Sequence, residues 1–505
     1  MHKIKTIESL SEIVKAKKEK GLKIVHCHGV FDLLHIGHIR YLEQASRMGD
    51  ILVVTLTPDH FVDKGPHRPA FNKILRAEAI ASLSCVDYVS INPWPTAEET
   101  IRLLKPDFYV KGSEFKNLSS DMTGKIAKEE KVAQEIGTKM AFIDDIVFSS
   151  TNLINRYFSK FTEDVQNYLN VFRTRYTIND LIEIIDKMAG LKVLIVGDTI
   201  IDEYIYCNAI GKSSKDPTLA VKYQSSDKFA GGVLAVANHV ANFAKNVHLK
   251  TVIGDQNSHE DFIRSQLESN IFLSFDIQTN SPTLIKRRFI ESYSLNKLFE
   301  VYIMDDSGVS KQQDQEICQW LSKNIKSFDI VIASDFGHGA ISKNVIDILC
   351  NKANFLAVNT QANAGNRGFN TVSKYPRADF ICIAEHELRL EIRDLQTELR
   401  PSMLKIINRL NCKKLVVTTG RKGCAVCGNN KSFIQVPAFV HTVVDRVGAG
   451  DAFLSITSLA ACLGASDELI AFIGNVAGSL SVEVLGNKKS IDKLSIKKYI
   501  TSLMK

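Results

Sequence analysis

Two histidines stand three residues apart in the segment GVFDLLHIGHIRYLEQA, which runs from Gly29 to Ala45. The residues LKIVHCHG before the segment predict a strand, and the residues after His35 predict a helix. A helix N-terminus presents unpaired N–H groups and partial positive charge, so phosphate oxygens bind there readily. Imidazoles at positions i and i+3 lie on one face of the first turn. With Gly37 leaving room between them, His35 and His38 could stabilise the charge that develops when a nucleophile attacks an α-phosphate.

A second cluster with chemical potential lies near the C-terminus, in VDRVGAGDAFLSITSLAACLG. The pattern predicts a strand end, a turn formed by Gly448, Ala449 and Gly450, and a helix that begins at Asp451. Such a turn points backbone N–H groups at one spot and forms an anion hole. Asp451 could be an ordinary helix cap. It could instead accept the proton of a substrate hydroxyl that attacks a γ-phosphate.

The elements that must position these residues alternate between strands and helices. From Lys23 to Gly112 the alternation predicts a parallel α/β sheet, and a second alternating pattern opens at Leu191. The stretch between them is helical and polar. We predict a first domain over residues 1–160, a helical connector over 161–190 and a second domain over 191–505. Parallel sheets bind ligands at the carboxyl ends of their strands, where Gly29, Thr57 and Lys111 are predicted to lie.

Composition narrows the classes of function. The chain has 505 residues, a net charge of +7 and 45% hydrophobic residues, without an apolar run long enough to cross a membrane. The N-terminus lacks the apolar stretch of a signal peptide. No basic block with interleaved aromatics predicts a nucleic-acid partner, and small phosphorylated substrates explain the positive excess. The ten cysteines lack zinc-site spacing and fit a reducing cytoplasm. We expect a cytoplasmic protein with no membrane or nucleic-acid partner.

The first 160 residues resemble the nucleotidylyltransferases with the H-x-G-H signature, which include cytidylyltransferases and adenylyltransferases. GVFDLLHIGHIRYL carries the signature. HRPAFNKILRAEAIASLSCVDYVSI, LLKPDFYVKGSEF and FSSTNLINR resemble later motifs of the family in the same order. The segment is similar to the adenylyltransferase half of the bifunctional ADP-heptose synthases.

This resemblance implies a Rossmann-like domain and a role for each matching residue. His35, His38 and Lys111 would be catalytic. Lys111 would neutralise phosphate charge, a role that its position at a strand end favours over the alternative of a solvated surface lysine. Asp32 would orient the loop or contact substrate. The residues expected to bind the nucleotide are Gly29, Phe31, Gly37, Ser149, Ser150 and Thr151. The last three would hold the β- and γ-phosphates at a helix start, where they could equally be a helix cap.

Residues from Leu191 onward resemble the ribokinase-type carbohydrate kinases, whose signature is D-T-x-G-A-G-D. The resemblance implies a three-layer α/β/α fold with a small β-lid, which we place in short strands between Tyr204 and Lys228. Asp451 would be the catalytic base. The expected nucleotide-binding residues are Thr419, Gly420, Gly423, Gly448, Ala449, Gly450 and Asn475. The expected substrate-binding residues are Asp202, Gly231, Gly232, Lys286 and Asp335.

Several positions depart from the kinase pattern. Arg446 stands where the family usually has threonine, and His338 replaces a lysine. The loop after Gly232 has Ala235 where an asparagine is expected. AVNTQANAG replaces a D-P-K strand end, and FICIAEHEL lacks the asparagine of the N-x-x-E magnesium motif. The transfer machinery is retained while the sugar pocket is altered, so no metal ligand is assigned and the sugar stays open.

Together the two resemblances predict a bifunctional enzyme that makes a nucleotide-activated, heptose-like sugar for a surface polysaccharide. A kinase would phosphorylate a sugar or sugar phosphate, and a transferase would join the sugar 1-phosphate to AMP. Mg²⁺ and ATP are expected, with CTP open for the first domain, and a homodimer is expected through the lid. The domain order is the reverse of that in ADP-heptose synthases. One alternative is a cytidylyltransferase for a sugar or alcohol phosphate, with the kinase-like domain as a regulatory sugar-phosphate sensor. A scaffold without catalysis is the other.

Overall fold

The computed structural model describes residues 2–62, 68–113, 125–143, 161–305, 307–440 and 443–505. The chain divides into two compact units, one of residues 1–160 with 497–505 and one of residues 161–496. The last helix of the chain, α16, is Lys493–Met504. No helix in these ranges is both long enough and apolar enough to span a bilayer.

The first unit contains a six-stranded parallel sheet in the order β1-β4-β3-β2-β5-β6. Its strands are β1 (Ile4–Lys5), β2 (Ile24–Gly29), β3 (Ile51–Leu56), β4 (Tyr88–Ile91), β5 (Phe108–Gly112) and β6 (Lys139–Ile143). Its described helices are α1 (Ile7–Glu19), α2 (Ile36–Ser46), α3 (Lys73–Ala81), α4 (Glu98–Leu104) and α5 (Lys125–Glu135). β2 and β3 are buried, as central strands covered on both faces are. β3 is apolar apart from Thr55, and the two buried histidines of β2, His26 and His28, hydrogen-bond to the Thr55 hydroxyl at 2.7 and 2.9 Å. The predicted alternation of strands and helices is confirmed here.

The second unit begins with two helices, α6 (Glu163–Arg175) and α7 (Ile178–Lys187). These helices occupy the segment for which the sequence predicted a helical connector, 161–190, and the structure includes that segment in the second unit. α6 packs within the second unit, because the ring of Phe172 stacks on Phe472 at 4.2 Å and Arg175 forms a 2.8 Å ion pair with Glu468.

A twelve-stranded sheet forms the centre of the second unit. Along its main path, β10-β9-β7-β13-β14-β15-β16 are parallel and β17 and β18 follow antiparallel. The strands are β7 (Lys192–Lys212), β8 (Leu219–Gly232), β9 (Asn246–Gln256), β10 (Ile271–Pro282), β11 (Ile285–Glu291), β12 (Lys297–Ile303), β13 (Ile330–Asp335), β14 (Leu356–Thr360), β15 (Arg377–Ala384), β16 (Asn411–Thr418), β17 (Cys424–Gly428) and β18 (Phe433–Val436).

Helices accompany this sheet along the chain. They are α8 (Val233–Ala241), α9 (Glu260–Gln266), α10 (Lys311–Asn324), α11 (Lys343–Lys352), α12 (Glu385–Ile392), α13 (Leu399–Arg409), α14 (Ala449–Cys462) and α15 (Asp467–Val482). α14 and α15 are mostly buried, so they form part of the core rather than a surface layer.

The expected lid is built differently from the prediction of separate short strands. β7 continues for 21 residues and pairs antiparallel with β8 from Thr199 to Lys212. Its first half is buried, while residues after Cys207 are exposed. One strand therefore serves both the core and the projecting hairpin, and its pairing with β8 continues across register shifts at Tyr206/Cys207 and Ala209/Gly211.

Candidate functional site

The two histidines of the first unit form a stacked pair at the start of α2. His35 is the N-cap of this helix, and its Nδ1 accepts hydrogen bonds from the backbone N–H groups of Gly37 at 3.1 Å and His38 at 3.4 Å. The rings of His35 and His38 lie 3.9 Å apart between centroids with an angle of 21°. The i, i+3 spacing thus places both imidazoles on one face, as predicted.

The cap hydrogen bonds determine where His35 carries its proton. Because Nδ1 accepts two N–H groups, the neutral ring must be protonated at Nε2. Burial lowers the pKa of His35, which favours this neutral form. Nε2 is buried and has no hydrogen-bond partner in the described part of the chain. His35 therefore offers one N–H donor that an anionic oxygen could accept.

Gly29 and Phe31 support this pair by packing. Phe31 has a left-handed backbone with φ +47°, and its ring meets the His38 ring edge-on at 5.2 Å. A Cβ on Gly29 would lie 3.0 Å from the Phe31 ring. A side chain at residue 29 would therefore push Phe31 and, through it, His38.

Asp32 holds the chain that follows β3. One carboxylate oxygen accepts from the backbone N–H of Ala70 at 2.5 Å, and the other accepts from the Arg68 guanidinium at 3.2 Å. Asp32 is 3% exposed. This arrangement fits the expectation that Asp32 orients a loop.

Arg76, on α3, is a residue that the sequence did not single out. It is 2% exposed and donates to the carbonyl oxygens of Val30 and Thr57 and to the carboxylate of Asp59 at 2.6 Å. It thereby joins the loop after β2 to the end of β3. A lone arginine in a helical stretch carries no sequence signal for this role.

Lys111 lies at the end of β5, where its positive charge is paired with a carboxylate. Its ammonium group is 3.0 Å from the carboxylate of Glu129 on α5 and donates to the carbonyl of His28 at 3.4 Å. Glu129 also accepts from the Tyr109 hydroxyl at 2.8 Å and the Ala97 N–H at 3.2 Å. Lys111 is 8% exposed and Glu129 is 3% exposed, so the pair is a buried ion pair rather than a solvated surface lysine.

A sequence signal for Glu129 existed. It stands three residues after Ile126 and three before Val132, inside the apolar face of α5. A carboxylate at such a position needs a buried partner. Ser149, Ser150 and Thr151 lie outside the described residues.

In the second unit, the predicted anion hole opens α14. Gly448 is the N-cap with φ +83°, and a Cβ there would lie 2.0 Å from the side-chain oxygen of Asn487. A Cβ on Gly450 would meet nothing within 4 Å, so this side of the turn is open. Asp451 follows in the first helical turn.

Asp445 fixes the turn that leads into α14. It is 5% exposed and accepts from the Tyr204 hydroxyl, the Lys297 ammonium, and the N–H groups of Val447 and Gly486 at 2.7–3.2 Å. Burial would raise the pKa of Asp445, but the hydrogen bonds from Lys297 and Tyr204 hold it below the ordinary value. No sequence pattern had identified Asp445 as this anchor.

Asp451 lies among ionisable groups that adjust its proton affinity. Burial raises the pKa of Asp451 to about 7, with the nearby charges of Asp202 and Glu387 raising it and that of Lys286 lowering it. A carboxylate with a pKa near the working pH suits general base catalysis.

Asp202, Lys286 and Gly231 come together as expected. Lys286 on β11 is in register with Asp202 on β7, and Arg288 binds the Asp202 carboxylate and, at 3.1 Å, Glu300. A Cβ at Gly231 would lie 2.2 Å from the Asp202 carboxylate, so the close approach requires glycine. Gly232 follows with φ +55° and caps α8.

Asp335 is engaged in a buried network instead of facing an open space. Its carboxylate accepts from the Tyr375 hydroxyl at 2.6 Å, the Lys374 ammonium at 2.5 Å and the Gly337 N–H at 3.0 Å. Asp198, another residue missed by the sequence analysis, accepts three backbone N–H groups from residues 336–340. Together these two carboxylates shape the loop that carries His338.

Six of the seven residues predicted to bind the kinase nucleotide, all except Gly448, line one cleft with a volume of about 1530 Å³. Those on its wall are Thr419, Gly420, Gly423, Ala449, Gly450 and Asn475. Asn475 also donates to the Val436 carbonyl at 3.3 Å, which fixes α15 against β18. The cleft thus opens directly on the glycine turn before Asp451.

Two family models match the chain, one in each unit. A family model described as pfkB family carbohydrate kinase matches residues 191–494, and one described as cytidylyltransferase-like matches residues 26–156. The bifunctional protein HldE of Syntrophotalea carbinolica is 35% identical over 164 residues, which is 32% of this chain and 32% of that protein. The chain therefore spans about a third of the length of the curated relative it matches.

Two solved structures resemble the second unit. Phosphofructokinase-2 from Escherichia coli, in complex with potassium, has a TM-score of 0.52 at 15% identity and covers 63% of this chain and 100% of its own. Ribokinase from Thermotoga maritima has a TM-score of 0.50 at 17% identity and covers 62% of this chain and 99% of its own. These likenesses concern the fold, and they confirm the predicted ribokinase-like α/β architecture.

Proposed function

Because the chain belongs to the pfkB family of carbohydrate kinases and carries a cytidylyltransferase-like domain before it, we propose that it both phosphorylates a sugar and activates the product with a nucleotide. The observation that carries the proposal is Asp451. The pKa of Asp451 is raised to about 7. The residue lies beside a glycine turn that opens on a cleft large enough for a nucleotide.

In the proposed kinase reaction, Asp451 accepts the proton of an acceptor hydroxyl. The hydroxyl oxygen forms a bond to the γ-phosphorus of ATP, the bond from that phosphorus to the bridging oxygen breaks, and ADP leaves. Backbone N–H groups at the start of α14 stabilise the phosphoryl charge. Asp202 and Lys286 orient the acceptor, with Gly231 and Gly232 forming the adjacent wall. Mg²⁺ enters as the complex with ATP.

In the proposed second reaction, a phosphate oxygen of the sugar phosphate attacks the α-phosphorus of a nucleoside triphosphate. The bond between the α- and β-phosphates breaks and pyrophosphate leaves. The Nε2–H of His35 donates to the α-phosphate, and His38 stacked on it adds a second contact. Lys111 acts from within its ion pair with Glu129, and Ser149, Ser150 and Thr151 stay proposals for the β- and γ-phosphates.

We favour ATP as the nucleotide and a heptose-like sugar as the acceptor, on the resemblance to ADP-heptose synthases and the similarity to HldE. The description cytidylyltransferase-like keeps CTP as the competing nucleotide. Parallel assays with both triphosphates separate them, since only the correct one releases pyrophosphate when a sugar 1-phosphate is present.

The alternative role for the second unit is a sugar-phosphate sensor without turnover. Its support is the pocket itself, where Asp335 is committed to Tyr375 and Lys374 and His338 replaces the expected lysine. A sensor would bind sugar phosphate and change the rate of pyrophosphate release without forming ADP.

The experiment uses the full chain with ATP, Mg²⁺ and a panel of heptoses and heptose phosphates. ADP and pyrophosphate are measured separately, and products are identified by mass spectrometry. Asp451→Asn should abolish ADP formation and spare pyrophosphate release from added sugar 1-phosphate, whereas His38→Ala should do the reverse. Absence of both products with every acceptor and both triphosphates would refute the proposal.

We further propose a homodimer through the β7–β8 hairpin, in the cytoplasm. The hairpin exposes Ile210, Leu219 and Tyr223, which are 70%, 51% and 61% accessible. All ten cysteines are unpaired, as in a reducing compartment. Ile210→Asp with Tyr223→Asp should convert a dimer to a monomer in light scattering, and an unchanged mass would contradict this interface.

A further inference from the structure

Arginines are the most numerous charged residues on the wall of the kinase cleft, which is otherwise largely apolar. Five of them line it, together with one histidine and only two carboxylates. The arginines are Arg367, Arg389, Arg393, Arg421 and Arg446, the histidine is His386, and the carboxylates are Glu385 and Asp394. Arg367 lies in the loop between β14 and β15, Arg389 on α12 and Arg393 just after it, while Arg421 lies in the turn after β16 and Arg446 in the turn before α14.

The two carboxylates of the wall are already engaged. Glu385 forms a 3.1 Å ion pair with Arg389, and Asp394 is 3.5 Å from Lys405 and accepts from Thr397. The other four arginines form no ion pair with a carboxylate in the described part of the chain. Like charges that converge on one cavity repel one another unless an anion lies between them. The wall therefore favours a ligand with several negative charges.

Arg446 is the arginine nearest in sequence to the glycine turn. It precedes Gly448 by two residues, and the carbonyl of Arg446 accepts the Ala449 N–H at 3.4 Å. Asp445 is buried and bound by four donors, so it fixes the backbone from which Arg446 extends. The Arg446 side chain is exposed and lines the cleft beside Ala449 and Gly450. It thus extends from a rigid base next to the opening of α14.

We propose that the arginine wall binds the polyphosphate chain of the kinase nucleotide and that Arg446 contacts its terminal phosphates. This inference rests on the proposed kinase function and adds the residues that select a nucleoside triphosphate. A guanidinium presents a planar pair of donors that matches two phosphate oxygens, and such charge-assisted hydrogen bonds are among the strong ones. The N–H groups of the glycine turn and the Arg446 guanidinium then bind the same phosphate from two sides.

Hydrogen–deuterium exchange of the full chain tests this, because it reports on the two units separately. Inorganic tripolyphosphate and ATP are titrated, and protection of the segment 443–453 gives an apparent Kd at this cleft. Tripolyphosphate alone should protect the segment. Arg446→Thr should weaken binding of both ligands by about 10- to 100-fold, and Arg446→Lys by less, since lysine keeps the charge but not the paired donors.

Arg264→Thr is the matched control, since Arg264 lies on α9, is half exposed and pairs with Glu260. It removes the same charge from the same unit away from the cleft. If Arg446→Thr weakens tripolyphosphate binding no more than Arg264→Thr does, the inference is wrong and the kinase proposal stands. If neither ATP nor tripolyphosphate protects the segment in the unmodified protein, both fail.

Discussion

Replacing Asp451 with asparagine should abolish sugar phosphorylation and at the same time stabilise the protein. Burial raises the pKa of Asp451 to about 7, and Asp202 and Glu387 raise it while Lys286 lowers it. An asparagine of the same size cannot accept a proton. It also avoids the free-energy cost of holding an ionised carboxylate in this environment. Loss of activity would therefore come with a gain in stability.

The magnitudes follow from that pKa. A rise from 3.8 to about 7 is about three pKa units, or about 4 kcal/mol when the carboxylate is ionised. Asp451 is partly exposed to solvent, and solvent screening therefore reduces this cost to about 2 kcal/mol. Because the folded-state pKa is raised, the cost is absent below about pH 4, grows between about pH 4 and 7, and is complete above about pH 7.

Kinase activity should rise with pH as Asp451 ionises, over the same range in which stability falls. The ionised fraction of Asp451 is about a tenth at pH 6 and about nine tenths at pH 8, so the kinase rate should rise nearly tenfold between them. Asp451→Asn should lower kcat for ADP formation by about 10²- to 10⁴-fold at pH 8. It should also raise the free energy of unfolding by about 2 kcal/mol at pH 8 and leave it unchanged near pH 4.

The assays are acceptor-dependent ADP release and urea unfolding of the second unit, each measured across this pH range. Asp445→Asn is the control, because it should lower the free energy of unfolding whereas Asp451→Asn should raise it. Its carboxylate accepts from Lys297 and Tyr204, so the change should cost about 1–3 kcal/mol of stability. If Asp451→Asn keeps full kinase activity, or destabilises the protein as Asp445→Asn does, the assignment of Asp451 as a general base with a raised pKa is wrong.

Three further predictions concern other parts of the chain. Glu129→Gln should lower the free energy of unfolding of the first unit by about 3 kcal/mol in urea, because the Lys111 ammonium loses its buried counter-charge; an unchanged midpoint would contradict this. His35→Asn should keep α2 capped and stability within about 0.5 kcal/mol while pyrophosphate release falls about 100-fold, and retained activity would remove His35 from the mechanism. Tyr168→Phe should leave the melting temperature unchanged or higher, since the buried Tyr168 hydroxyl has no hydrogen-bond partner in the described ranges, and a clear decrease would reveal one.

Local sequence patterns were sufficient to predict the strands and helices and the two helix starts that carry reactive side chains. The i, i+3 spacing of His35 and His38 placed both rings on one helix face, and a glycine precedes the predicted helix, although that helix begins at Ala449 and not at Asp451. These features depend on backbone geometry within a few residues. For the same reason, the alternating strands and helices of both units could be predicted without knowledge of their packing.

Partnerships between distant residues could not be predicted. Lys111 lies at a strand end, as expected, but its partner Glu129 comes from a helix 18 residues later. Asp335 occupies the expected strand end, yet Tyr375 and Lys374 occupy its carboxylate. Hydrogen bonds of this kind depend on which elements meet in space, and chain spacing carries little information about that.

The sequence by itself therefore determined the two α/β units and the residue types at the start of α2 and α14. Periodicity, glycine turns and helix caps are local consequences of backbone stereochemistry. Only the tertiary structure decided the ionisation of Asp451, the burial of His35 that favours its neutral form, and the position of four arginines without carboxylate partners on one cleft among the described residues. Charge and proton affinity depend on desolvation and on neighbours that folding brings together from distant parts of the chain.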